Sequence, residues 1–125
     1  MLYNICSFPH IYQMKQRPYQ QAARLYGLLS HPGRLQILDE LRRDEACVCH
    51  LQAVLGRPQA YVSQQLRVLR EAGVVTDRKD GLLVYYRLDD ERVEQSLADA
   101  LGSPGEPTRV PGCPCPKCTS EVDRA

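Results

Sequence analysis

Apolar residues recur at helical spacing through most of the chain, and the period changes once, after Gly73. Val62, Leu66, Leu69 and Gly73 lie on one face of a helix, and Pro58 suits its first turn, where the missing N–H is not needed. Ser63, Gln64, Arg67 and Arg70 project largely away from that face. Beyond Gly73 the pattern becomes that of two short strands, Val74–Thr76 and Leu82–Leu88, with Asp80-Gly81 as the turn signal between them. Upstream, helices are predicted over Tyr19–Ser30, Pro32–Arg43 and Cys49–Leu55. The first carries Ala22, Leu25, Tyr26 and Leu29 on its apolar face. The second uses Leu35, Leu38 and Leu41 or Ile37, and the third Leu51, Val54 and Leu55. Gly56-Arg57-Pro58 is a tight turn between the third helix and the fourth, the spacing of a helix-turn-helix. A last helix runs from an Asp89-Asp90 cap to Leu101, with Val93, Leu97 and Leu101 in one narrow stripe suited to a partner helix.

The predicted architecture is therefore mostly α with a β-hairpin wing, a winged helix-turn-helix. The chain divides into an N-terminal arm (1–18), a core domain (19–101) and a Gly-, Ser- and Pro-rich tail (102–125), read as flexible. At 125 residues a single modest core is the natural expectation. No stretch approaches the ~20 apolar residues that span a bilayer, and Met1–Gln16 lacks the features of a secretory signal. A cytoplasmic protein is expected.

Net charge is only +1, but its distribution is uneven. From Arg57 to Arg87 there are six Lys/Arg against three Asp/Glu, and from Asp89 to Glu106 six acidic residues against one basic. That places a basic helix and hairpin on one surface, facing a polyanion. The fourth helix would enter the major groove of duplex DNA. Gln59, Ser63, Gln64 and Gln65 are the candidates for its polar contacts, since Gln amides can pair with adenine edges. Tyr61, Arg67 and Arg70 suit phosphates, which fix register without reading sequence. Arg78 and Lys79 on the wing would reach the backbone or minor groove. Tyr85 and Tyr86 alternate, so only one can face the core.

Six cysteines in a reducing compartment point to metal ligands or redox groups rather than structural disulfides. Cys47 and Cys49 flank Val48 at the start of the third helix, where an extended or capping conformation lets two thiols converge. Cys113, Cys115 and Cys118 cluster among prolines that forbid a helix. Thiolates select soft ions: three suit As(III) or Sb(III), four suit Cd(II), Pb(II) or Zn(II). The tail can bind alone, can fold back to complete the Cys47/Cys49 pair, or can leave Cys6 to complete it. A site on Cys47 and Cys49 with a third thiol is preferred, arsenite ahead of cadmium. No nucleophile–base–acid set or phosphate loop is present, and His10, His31 and His50 are scattered, which argues against an enzyme.

Several segments match, in order, one known family. Leu28-Leu-Ser-His-Pro-Gly-Arg-Leu-Gln-Ile-Leu38, Cys47-Val-Cys-His-Leu51, Val62-Ser-Gln-Gln-Leu-Arg-Val-Leu-Arg-Glu-Ala-Gly73 and Gly81-Leu-Leu-Val-Tyr-Tyr-Arg-Leu88 resemble the ArsR/SmtB repressors that respond to metals and metalloids. The likeness covers roughly Tyr19–Leu101. It implies a homodimer built on the first and last helices, bound to a partly palindromic double-stranded operator and released by its inducer ion. It also implies a thiolate role for Cys47-Val-Cys49, and N-terminal cysteines such as Cys6 serve in some cadmium- and lead-sensing relatives. Three features depart from the pattern. Gln65 stands where His is frequent, His50 follows the Cys47/Cys49 pair where Asp is usual, and the last helix has no His, so the family's Asp/His/Glu site there is missing. Two rival functions fit the same chain: a thiol-redox-sensing repressor, and a winged-helix interaction module with a structural zinc tail and no DNA role.

Overall fold

The junction between the fourth helix and the wing depends on one glycine. In the computed structural model, which describes residues 16–113, helix α4 (Gln59–Glu71) ends at Ala72 and the chain turns at Gly73, with φ 78°. The Gly73 amide donates to the Arg70 carbonyl at 2.9 Å and the Val74 amide to the Leu69 carbonyl at 3.1 Å. This paired closure needs a left-handed residue after the helix, which glycine adopts without a Cβ clash. Val74 and Val75 are then buried and lead into strand β2 (Val75–Asp80).

The remaining helices are α1 (Arg17–Leu29), α2 (Pro32–Arg43), α3 (Val48–Leu55) and α5 (Glu91–Leu101). Strands β1 (Ala46–Cys47) and β3 (Leu83–Leu88) complete an antiparallel sheet with order β1-β3-β2. Among the described residues, five helices and a small sheet form the winged helix-turn-helix read from the periodicity. The chain separates into two compact units, Met1–His31 and Pro32–Ala125. In the first, α1 begins at Arg17 and leaves Tyr19 and Tyr26 exposed, at 71% and 64%.

In the second unit the core is built from Ile37, Leu38 and Leu41 of α2, Leu51 of α3, and Val62, Leu66 and Leu69 of α4. Leu35, expected in the α2 stripe, is only half-buried. Pro58 is the N-cap of α4 rather than a residue of its first turn. Asp90 caps α5 through its carboxylate, which accepts from the Arg92 amide at 2.9 Å and the Val93 amide at 3.3 Å. Val93 and Leu97 are buried, whereas Leu101 is 52% exposed. The hairpin turn lies one residue later than its sequence signal. Asp80 pairs with Leu83, so Gly81 and Leu82 form the two-residue loop. Gly81, with φ 64°, occupies its first position. Among the described residues no helix is long and apolar enough to cross a membrane.

Replacing Gly73 with Ala puts a Cβ on a left-handed residue. A loss of about 1–2 kcal/mol is expected, seen as a melting temperature several degrees lower by calorimetry.

Candidate nucleic-acid interface and thiol site

Along α4, exposure follows helical geometry. Gln59, Ser63, Gln64 and Arg67 are exposed, and Tyr61 is half-buried with the Arg57 guanidinium 4.1 Å above its ring. Gln65 departs from the expected DNA-facing set. It is three residues after Val62 and one before Leu66, so it shares their inward face and is 8% exposed. Its Oε1 accepts from Arg34 Nε at 2.9 Å, a bond that satisfies the buried amide and ties α2 to α4. The outward polar surface of α4 is accordingly narrower than the sequence suggested.

The three arginines among the candidate phosphate contacts each carry a carboxylate partner. Arg67 meets Glu71 at 3.2 Å one turn along α4, and Arg70 meets Asp77 at 3.2 Å on β2. Arg78 forks onto Glu45, with Nε 2.9 Å from Oε2, and its guanidinium lies 4.7 Å over the Tyr85 ring. The Glu45 hydrogen bond and charge hold the Arg78 guanidinium above its ordinary pKa, against a smaller opposing effect of burial. Lys79 is exposed beside the wing tip. Tyr85 is the tyrosine that faces the core, while Tyr86 is half-buried.

The thiol site is built around a strand that the sequence did not reveal. Ala46 and Cys47 pair with Tyr86 and Tyr85 of β3, which extends the wing sheet by a third strand. Cys47 is therefore both the end of β1 and the N-cap of α3, with extended φ −86° and ψ 168°. Its side chain is buried, and that of Cys49, two residues on, is exposed. The partner that comes to Cys47 is Cys113, with the two sulfurs 3.7 Å apart. Cys47, Cys113, Tyr85 and Val110 form one small buried cluster, flanked by Val54 and Leu83. Cys6, Cys115 and Cys118 lie outside the described residues.

Cys113 arrives there on a segment without helix or strand from Gly102 onward. Composition predicts a flexible tail from this point; up to Cys113 its backbone is gripped by α2. Arg42 Nη1 donates to the Gly102 carbonyl at 2.6 Å and Arg43 Nε to the Pro104 carbonyl at 2.5 Å. Thr108 donates its hydroxyl to Glu40 Oε1 at 2.5 Å. Glu40 is itself buried, and its other oxygen accepts from His50 Nε2 of α3 at 3.0 Å. Burial would raise the Glu40 carboxyl. The His50 and Thr108 hydrogen bonds, with the His50 and Arg43 charges, outweigh it and hold the group below the usual carboxylate range.

A separation of 3.7 Å is ordinary contact between two thiols and far beyond a disulfide bond, and thiolates are donors that select soft ions. Two thiols alone do not complete a site, and among the described residues no group of three or more His, Cys, Asp or Glu side chains is assembled to hold a metal.

A family model described as "Bacterial regulatory protein, arsR family" matches residues 31–77, which span α2, β1, α3, α4 and the start of β2. The "Cadmium resistance transcriptional regulatory protein CadC homolog" of Staphylococcus aureus is 38% identical over 88 residues, 70% of this chain and 72% of that one. The chain belongs to the ArsR family. The "HTH-type transcriptional repressor SmtB" of Mycobacterium tuberculosis is 40% identical over 85 residues, 68% of this chain. That match spans 63% of SmtB's own length, so the chain covers about three-fifths of this relative. A solution structure of the homodimeric winged helix-turn-helix DNA-binding domain of Mb0332 from Mycobacterium bovis, described as a possible ArsR-family transcriptional regulator, superposes with a TM-score of 0.63 at 29% identity. It covers 76% of this chain and 85% of that one.

A lowered Glu40 pKa stabilises the fold above the ordinary value of 4.5, and that contribution is lost as pH falls through the folded value. Melting temperatures measured between about pH 5 and pH 3 should drop more steeply for the natural protein than for Glu40→Gln, which has no proton to take up.

Proposed function

We propose that this ArsR-family chain is a transcriptional repressor that grips operator DNA as a homodimer in a reducing cytoplasm and lets go when a thiophilic ion is captured by cysteine thiolates. The DNA-reading surface is α4 through Gln59, Ser63 and Gln64, flanked by Tyr61, Arg67, Arg70 and the wing residues Arg78 and Lys79. Tyr19 and Tyr26 on α1 and Leu101 on α5 are exposed apolar side chains, the chemistry a second subunit would cover. The relatives named as repressors and as a cadmium resistance regulator support the same reading.

The observation that carries the ion response is the 3.7 Å approach of Cys47 and Cys113 directly behind β3. Of the three arrangements open to the sequence, it favours the tail folding back to complete the helix-three site. Cys47 and Cys113 are the first two donors, and a third thiol comes from Cys49, Cys115 or Cys118. Such a three-thiolate set favours As(III) or Sb(III), with Cd(II), Pb(II) and Zn(II) served where a fourth donor joins. Cys6 remains an additional donor candidate.

The coupling follows from what Cys47 belongs to. Drawing its sulfur toward Cys113 strains β1, which is hydrogen-bonded to the wing, and the first turn of α3, which precedes α4 by the Gly56-Arg57-Pro58 turn. In a dimer the two α4 helices must match groove segments ~34–36 Å apart. A small displacement of wing or helix loses contacts in both half-sites at once. A coupling of ~1–3 kcal/mol corresponds to a 5- to 150-fold weakening of DNA binding.

The same pair of sulfurs favours one rival, a redox repressor in which peroxide oxidises Cys47 and Cys113 to a disulfide and is reduced to water. Mass measurement of the reduced protein after As(III), Cd(II) or peroxide separates the two. Retained ion supports the first reading, and a loss of two hydrogens that alone releases DNA supports the second.

Titration of the operator-bound dimer with As(III) tests the assignment. Cys47→Ser and Cys113→Ser should still shift the operator but lose ion-triggered release, and truncation after Gly112 should behave like them. An undiminished ion response in both point variants would remove the site from these thiols.

A further inference from the structure

Glu40 is unusual among the buried groups because it touches both halves of the thiol site without contributing to either. One oxygen takes His50, which lies one residue beyond Cys49 in the helix that Cys47 caps. The other takes Thr108, five residues before Cys113. We propose that Glu40 and Thr108 are positioning residues that latch segment 102–113 onto α2, so that Cys113 stands against Cys47 before an ion arrives. This inference rests on the ion-site reading above.

Ordering a coil of this length is costly, at ~1–2 kcal/mol of backbone entropy per residue. Few apolar side chains offset it here, since only Val110 and Cys113 are buried in the segment. The hold on Gly102 and Pro104 by Arg42 and Arg43 fixes where the segment leaves α5. It does not fix the direction taken over the next nine residues. Thr108 supplies that fixed point, about midway between Pro104 and Cys113, and its hydroxyl meets a carboxylate, which gives the stronger class of hydrogen bond. Arg43 Nη1 reaches the same Glu40 oxygen at 2.6 Å and the Thr108 hydroxyl at 3.4 Å, so the latch is a three-way contact. With the latch open, Cys113 becomes a thiol on a flexible tether, present at Cys47 only at the millimolar effective concentration of such linkers. With it closed, the second sulfur is already placed, and ion capture does not have to order the segment.

The test uses the full chain with Cys6, Cys115 and Cys118 changed to Ser, and phenylarsine oxide as the probe. Each arsenic forms bonds to two thiol sulfurs, and its oxygen leaves with the two thiol protons as water, so the reagent reports paired thiols alone. Affinity is read by competition against a small dithiol, with the melting curve of the free protein recorded for each variant. Thr108→Val should bind the probe about tenfold more weakly, and Thr108→Ser, which keeps the hydroxyl, should return to within about twofold of the parent. Thr108→Val should melt a few degrees lower than Thr108→Ser, because the buried Glu40 loses a donor, yet stay folded at the assay temperature. Parent affinity in Thr108→Val, in a background where Cys47→Ser and Cys113→Ser each lose the probe, overturns the latch and leaves the thiol site standing. Parent affinity in Cys47→Ser or Cys113→Ser overturns the site itself, and the latch with it.

Discussion

Two residue pairs, Ala46 with Tyr86 and Cys47 with Tyr85, join the thiol site to the wing. Without them the wing would be a two-stranded hairpin held only by packing of side chains such as Val75, Tyr85 and Leu88 against the helices, and Cys47 would be only the cap of a short helix. With them the backbone that carries the sulfur is a rung of the same sheet that carries Arg78 and Lys79. The Arg78 fork onto Glu45, next to β1, ties the strands a second time through side chains. Any force on Cys47 therefore has a hydrogen-bonded path to the wing that need not pass through α3 and the helix-turn-helix linker.

The second constraint is the burial of a charge. A carboxylate inside a protein is tolerated when its lone pairs are taken up by donors, and removing one partner leaves the rest uncompensated. Glu40 satisfies this with His50, Thr108 and Arg43. Those partners come from α3, the C-terminal segment and α2, so one polar contact organises three parts of the chain that apolar packing alone would leave loosely related.

The helices, the glycine stop before the wing and the cap on α5 were legible in the sequence, because each depends on local periodicity or on a residue whose backbone or side chain has one strong use. Gln65 was misplaced because residue type outweighed position. A glutamine in an amide-rich helix suggests a groove contact, yet its spacing from Val62 and Leu69 puts it inward. β1 was invisible because two residues cannot display a period, and its pairing partner lies some forty residues away. The turn shifted by one because Asp-Gly and Gly-Leu both satisfy a two-residue loop, and only the strand register decides between them. The hold on residues 102–113 was beyond composition. Proline and glycine predict the absence of helix and strand there, but the anchors are carbonyls and one hydroxyl met by side chains more than fifty residues upstream.

The carboxylate partners of Arg67, Arg70 and Arg78 bear on the thermodynamics of an encounter with duplex DNA. Counting cations on a surface assumes that each one meets a phosphate as a free positive charge, releasing condensed counterions. On the proposed DNA-reading surface each guanidinium would have to share or exchange an acidic neighbour for a phosphate, and the displaced Glu71, Asp77 or Glu45 would be left near a negative strand. The ionic-strength slope would then fall short of the cation count, and more of the discrimination would rest on the neutral amides and hydroxyl of Gln59, Gln64 and Ser63.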